Sequence, residues 1–229
     1  MRVVTAMSSN VRVYEVTSFP SDLLRFDDII EKLKSRFQFE AIYPQTDRHI
    51  SSQPVMLGFA EGKFDGVRIS ELTIQNRKVV VRVLGSSDDC DVVVDAFETW
   101  VNEISRSGPP RLVTQSNESV LTSETSIPFQ SLVNGSVAAA VGGSSDKFES
   151  MDRLFPTSVS FSVLYHTPSE LRQHRVELSP KTITIGRAND TLDDEGLMKS
   201  RMPLRSEDHE VVLINLEQVL GDGSVPDPS

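Results

Sequence analysis

Arg172, His174 and Arg175 flank Gln173 and form the densest cationic cluster in the chain. Guanidinium forks present paired donors that match the two oxygens of a carboxylate or phosphate. Anion binding is therefore the chemistry expected of Arg172, His174 and Arg175. The competing expectation is a solvated turn in which the arginines pair with Glu170 and Glu177. The chain has four histidines, at His49, His166, His174 and His209. No two stand at i,i+4, and no HExxH occurs, so the spacing that holds zinc on a helix is missing. With Cys90 the single cysteine, neither a zinc site nor any other metal site is expected.

Asp88-Asp89-Cys90-Asp91 concentrates carboxylates just before an expected helix. A hard cation could sit there, but the helix N-terminus accounts for the acids without one. The same helix end would lower the thiol pKa of Cys90, while the adjacent carboxylates would raise it. Asp190-Thr191-Leu192-Asp193-Asp194-Glu195-Gly196 offers oxygen ligands without a calcium-loop spacing, and reads as a solvated turn leading into a short helix. Gly142-Gly143-Ser144-Ser145-Asp146-Lys147 lacks the phosphate-loop spacing, and neither GxGxxG nor GxSxG occurs. No cofactor is expected.

Thr184-Ile185-Gly186-Arg187, followed by Ser206-Glu207-Asp208-His209, resembles the phosphopeptide-binding forkhead-associated pattern, which reads an IGR turn and then S-R-x-H. Glu207 stands where that pattern has Arg. The resemblance covers a small part of the chain and passes no functional role to its residues.

The elements that must position these groups follow from hydrophobic periodicity. Val11, Val13, Tyr14 and Val16 give a short strand. Leu23, Phe26, Ile30, Leu33 and Phe37 are spaced 3, 4, 3 and 4, with Ile29 beside them, and predict a helix over Asp22–Phe37 capped by Ser21. Phe39, Ala41 and Tyr43 alternate up to Pro44, Gln45–Gln53 reads as a loop, and Val55–Phe59 reads as a strand. Phe64-Asp65-Gly66 marks a turn. Val67–Ile74 and Lys78–Leu84 flank Gln75-Asn76-Arg77 as a hairpin, with Val79, Val81 and Val83 on a buried face. Asp88 or a neighbour caps a second helix carrying Val93, Phe97, Trp100, Val101 and Ile104. The order β-α-β-β-β-β-α predicts an α+β domain over residues 1–106, a mostly antiparallel sheet with two amphipathic helices packed on one face.

Gly108 and Pro109-Pro110 stop the second helix. Residues 107–150 read as a Ser/Gly-rich connecting segment with weak strands, and residues 151–220 as a β-rich domain or an extension of the sheet. Within the latter, Val159, Phe161, Val163 and Tyr165 alternate as a half-buried strand. Thr167-Pro168-Ser169-Glu170 opens a short helix to about His174. Val176, Leu178, Ile183 and Ile185 are strand-like, and Glu210–Leu216 is expected as a further strand. Residues 221–229 read as a disordered tail.

Composition narrows the function classes. The chain has 229 residues, 38% hydrophobic and 24% charged, with a mean hydropathy of -0.21, which is ordinary for a globular protein. The net charge of -10 and pI near 4.9 arise in both halves, so nucleic-acid binding is not expected without a local basic patch. No stretch approaches the ~20 apolar residues of a membrane helix, no secretion signal is read, and a cytoplasmic protein is expected. The sequons at Asn117, Asn134 and Asn189 are then coincidental. The leading expectation is a non-enzymatic protein-interaction or assembly subunit of an intracellular complex, acting on a protein partner or on itself. The alternative is an enzyme with a dispersed site around Arg172, His174, Arg175 and His209, with Asp208 beside the last.

Overall fold

The computed structural model describes residues 1–20, 24–44, 56–105, 108–125, 158–163, 181–188 and 196–221. In chain order the elements are β1 (Arg2–Tyr14), α1 (Asp27–Arg36), β2 (Ala41–Pro44), β3 (Met56–Phe64), β4 (Val67–Gln75), β5 (Lys78–Leu84), α2 (Ser87–Ile104), β6 (Leu112–Glu124), β7 (Ser158–Val163), β8 (Lys181–Arg187), β9 (Leu197–Met202) and α3 (Ser206–Gly221). Strands joined mostly antiparallel, together with helices, place the chain in the α+β class. It divides into two compact units, one of Met7–Ser119 with Tyr165–Ser179, the other of Met1–Ala6, Val120–Leu164 and Pro180–Ser229.

In the first unit the strand order runs β2-β3-β4-β5-β1-β6. Antiparallel pairing carries it from β2 through β5 and on to β1, with Leu72 opposite Val81 and Asn10 also opposite Val81. Two tight turns set the register. Asp65 and Gly66 both take positive φ (47° and 84°), and Asn76 does so at 53°. These are conformations that Asn, Asp and Gly adopt at low steric cost. The face of β5 built from Val79, Val81 and Val83 is buried as expected, while Leu84 on the other face is 46% exposed.

The second helix also follows its stripe. Val93, Phe97, Trp100 and Val101 are buried, with Cys90 and Val94. Its cap is Ser86, whose hydroxyl accepts from the Asp89 amide while the Asp89 carboxylate accepts from the Ser86 amide. Together with Ile30, Leu33 and Phe37 these residues share one hydrophobic cluster with Leu57, Phe59, Ile69, Leu72 and Ile74.

The first helix departs from its expected bounds. It starts at Asp27, with Phe26 as the N-cap in extended backbone and no side-chain cap. Residues 21–23, and so the expected Ser21 cap and Leu23, lie outside the described residues. Phe26 leaves the apolar stripe and is 57% exposed, and Leu24 is buried instead. The reason is local. A residue in extended backbone is off the helical period, so its spacing to Ile30 no longer places it on the buried face.

β1 and β6 are each longer than hydrophobic alternation alone implied. β1 begins at Arg2 rather than near Val11, and the Ser/Thr-rich stretch after Leu112 forms a 13-residue strand. Several of their buried positions are small and polar (Ser8 and Asn10 on β1, Ser119 and Ser123 either side of the buried Leu121 on β6), so the apolar period along them is broken.

In the second unit the order is β6-β9-β8-β7, with β8 antiparallel to both β7 and β9. Ile185, Met198, Met202, Leu121 and Leu213 form its core. Two expectations are corrected. Glu210–Leu216 belongs to helix α3, not to a strand. Its β-branched run (Val211, Val212, Ile214) gave the strand reading, but His209 and Leu213 are buried four residues apart, a helical period that outweighs local propensity. The short helix expected after the 190–196 acidic run is instead strand β9. Its Met198, Ser200 and Met202 alternate inward. The alternating strand near Val159 is present as β7, but Phe161 is 56% exposed rather than half-buried. The 45–53 loop, the 142–147 joint, the helix expected to open at Thr167, the strand at Val176 and Leu178 and residues 222–229 lie outside the described residues.

Candidate functional site

The anion-binding candidates Arg172, His174 and Arg175 lie outside the described residues, as do His49, His166 and the acidic run at 190–195. Of the alternative dispersed site, Asp208 and His209 are placed. They are neighbours on α3 but face apart: Asp208 is exposed, whereas His209 is fully buried. The His209 Nε2 lies 2.8 Å from the Ser200 Oγ, and Ser200 donates to the Leu121 carbonyl at 3.4 Å. A histidine and a serine in contact suggest nucleophile chemistry, yet both are sealed from solvent, so no substrate atom can reach either. The pair ties α3 to β9 and β6. The IGR stretch is the C-terminal end of strand β8, paired with β9 through Arg187, and Ser206-Glu207-Asp208-His209 opens a helix, so neither part of the forkhead-associated resemblance forms a turn.

Cys90 is buried, with Sγ 3.6 Å from the Val81 carbonyl oxygen. Of the carboxylates around it, Asp89 is spent in the capping box and Asp91 accepts from Asn10. Among the described residues no three His, Cys, Asp or Glu gather as a metal-binding group.

What the sequence did not single out is a polar ladder between β1 and α2. Asn10, Arg12 and Tyr14 stand at i, i+2 and i+4 on one face of β1. Asp91, Asp95 and Glu98 stand at i, i+4 and i+7 on one face of α2. Two strand residues advance about 6.6 Å and four helical residues about 6 Å, so the two rows stay in step. The Asn10 amide reaches Asp91 at 3.4 Å and Asn117 at 2.9 Å. The Arg12 guanidinium meets Asp95 at 3.4 Å and Glu98 at 2.7 Å, and the Tyr14 hydroxyl donates to Glu98 at 2.7 Å. Burial pushes the Tyr14 phenol far above its usual range, and the Glu98 charge adds to that. Burial lowers the Arg12 pKa, but the bond to Glu98 and the surrounding carboxylates reverse this and leave it raised. The network ties strand to helix, although the Asn10 Oδ1 and the Arg12 Nε within it are buried with no hydrogen-bond partner among the described residues.

A shallow groove of about 470 Å³ opens on the first unit, lined by Met7, Tyr43, Gly58, Ala60, Glu71 and Arg82 among others. Tyr43 is 57% exposed. The polar groups are already matched: Arg82 meets Glu71 at 2.6 Å, and Thr73 donates to the other Glu71 oxygen at 2.7 Å.

The two terminal strands differ in kind. β2, which ends the order in the first unit, has four residues and closes on a proline, a common way of blunting an edge. β7, which ends the order in the second, reads SVSFSV, with neither charge nor proline. Among the described residues no strand pairs with its open side. Phe161 lies opposite Ile183, next to the apolar core of the second unit, yet remains 56% exposed. Strict alternation and absence of charge were legible in the sequence. That this strand ends the pairing order among the described residues was not.

No protein-family model matches the chain, and no curated protein is similar to it. Among the described residues no helix is long and apolar enough to cross a membrane.

Proposed function

We propose that the protein is a non-enzymatic assembly subunit of a cytoplasmic complex that works through protein–protein contacts. The carrying observation is the edge of β7, an uncharged strand that pairs with β8 alone among the described residues and carries the exposed Phe161. An added strand satisfies such an edge by main-chain hydrogen bonds, and a side chain from that strand covers the ring. In the same reading α1 and α2 cover one face of β1 through β5, supported by their shared apolar cluster, and they stiffen the first unit without forming a reactive cleft.

The test is site-specific photo-cross-linking from Ser162 in extract of the native host, with Phe161→Lys as the control. The expected result is a polypeptide cross-linked to β7, either a second copy or another chain, and lost in the variant. If β7 cross-links to no polypeptide at any concentration, the reading falls.

A further inference from the structure

We infer that one internal water bridges Asn10 and Arg12 and completes the polar ladder between β1 and α2. Two atoms carry the inference. The Asn10 Oδ1 and the Arg12 Nε are both sealed from solvent, and neither has a hydrogen-bond partner among the described residues. Asn10 is 2% exposed and the Arg12 side chain 12%. Buried polar groups that protein atoms leave unpaired are the ones that ordered water satisfies.

The neighbours fix what each atom can do. The Asn10 Nδ2 reaches the Asp91 Oδ1 at 3.4 Å and the Asn117 Oδ1 at 2.9 Å. Turning the amide over would set its oxygen against the Asp91 carboxylate, so the unpaired atom is the oxygen, an acceptor. On Arg12 both terminal nitrogens are engaged, Nη1 by Glu98 at 2.7 Å and Nη2 by Asp95 at 3.4 Å. The unpaired atom there is a donor. Both side chains reach toward α2 from alternate positions of one strand, about 6.6 Å apart at Cα, and one water spans about 5.6 Å between two partners at ordinary hydrogen-bond length.

The occupant must donate to the Asn10 oxygen and accept from the Arg12 Nε–H. A cation would face the guanidinium, and an anion would face the amide oxygen. Water meets both demands. The hydrogen-bonded chain then runs unbroken from Asn117 on β6 through Asn10, water and Arg12 to Glu98 on α2, and back to Tyr14 on β1.

The experiment is NMR of the isotope-labelled full chain. The Arg12 Nε–H signal, assigned by its loss in Arg12→Lys, should show a cross-peak to water of opposite sign in laboratory-frame and rotating-frame spectra, which marks a bound water rather than proton exchange. Asn10→Leu removes the acceptor and should abolish that cross-peak, whereas Asn10→Asp keeps an acceptor in place and should retain it. A crystal structure of the parent should show one water within about 3.2 Å of both atoms. No bound-water cross-peak in the parent, or one unchanged in Asn10→Leu, overturns the inference. So does a crystal structure in which the two atoms touch directly or hold separate waters. Should Asn10→Leu fail to fold, the two measurements on the parent decide the matter alone.

Discussion

The Arg12 guanidinium lies 2.7 Å from the Glu98 Oε1, and the Tyr14 hydroxyl donates to that same oxygen at 2.7 Å. One carboxylate on α2 thus joins two alternate residues of β1. The Arg12 side chain is 12% exposed and that of Glu98 28%, so water screens the pair only in part. Arg12→Met should cost about 2 kcal/mol in urea denaturation, below the value for a fully buried pair because of that screening. Adding Glu98→Leu should cost less than the sum of the single losses. Strictly additive losses would mean that the two residues do not act as a unit.

Tyr14 gives a pH dependence of definite sign. Its folded-state phenol is raised above the unfolded value of about 10. The contribution is therefore complete below pH 10 and is lost as pH climbs above it, since only the unfolded chain then gives up the proton. A phenolate absorbance titration of the parent and of Tyr14→Phe should coincide until the parent unfolds. A Tyr14 signal appearing near pH 10 with the fold intact would contradict the buried hydrogen bond.

The capping box at the start of α2 should be worth about 1 kcal/mol. Ser86→Ala removes the acceptor for the Asp89 amide, and thermal denaturation should show the loss as a lower Tm, with secondary structure retained at room temperature. An unchanged Tm would show that water replaces the cap at no cost.

Gly62 on β3 has no room for a side chain. A Cβ there would stand 2.5 Å from the Phe39 ring and 2.9 Å from the Phe37 carbonyl oxygen, which already accepts from the Lys63 amide at 2.8 Å. Gly62→Ala must displace backbone as well as ring, and should destabilise the first unit by about 1–3 kcal/mol. Equal stability of parent and variant would show that the Phe37–Phe39 segment yields freely.

Where a buried surface is apolar, the sequence announced it. Val79, Val81 and Val83, and the stripe from Val93 to Val101, were read from spacing alone because side-chain direction follows backbone period. The Asn76 and Asp65-Gly66 turns were legible for a similar local reason, the low cost of positive φ at those residues. The same rules failed in α3, where Val211, Val212 and Ile214 carry strand propensity on the outside of a helix. They were weak in β6, where buried Ser119 and Ser123 flank the single buried apolar Leu121.

The chain's own order of residues therefore determined its α+β class, its hairpins and the apolar faces of β5 and α2, since these depend on neighbours within a few positions. Tertiary structure decided which polar residues meet and which strands end the pairing order among the described residues. Asn10 and Asn117 are more than a hundred positions apart, at a separation of 107, and no local period links them. That the pairing order ends at β7 among the described residues likewise follows from topology alone. Hydrogen bonding between strands is set by chain topology, which no short window of sequence encodes.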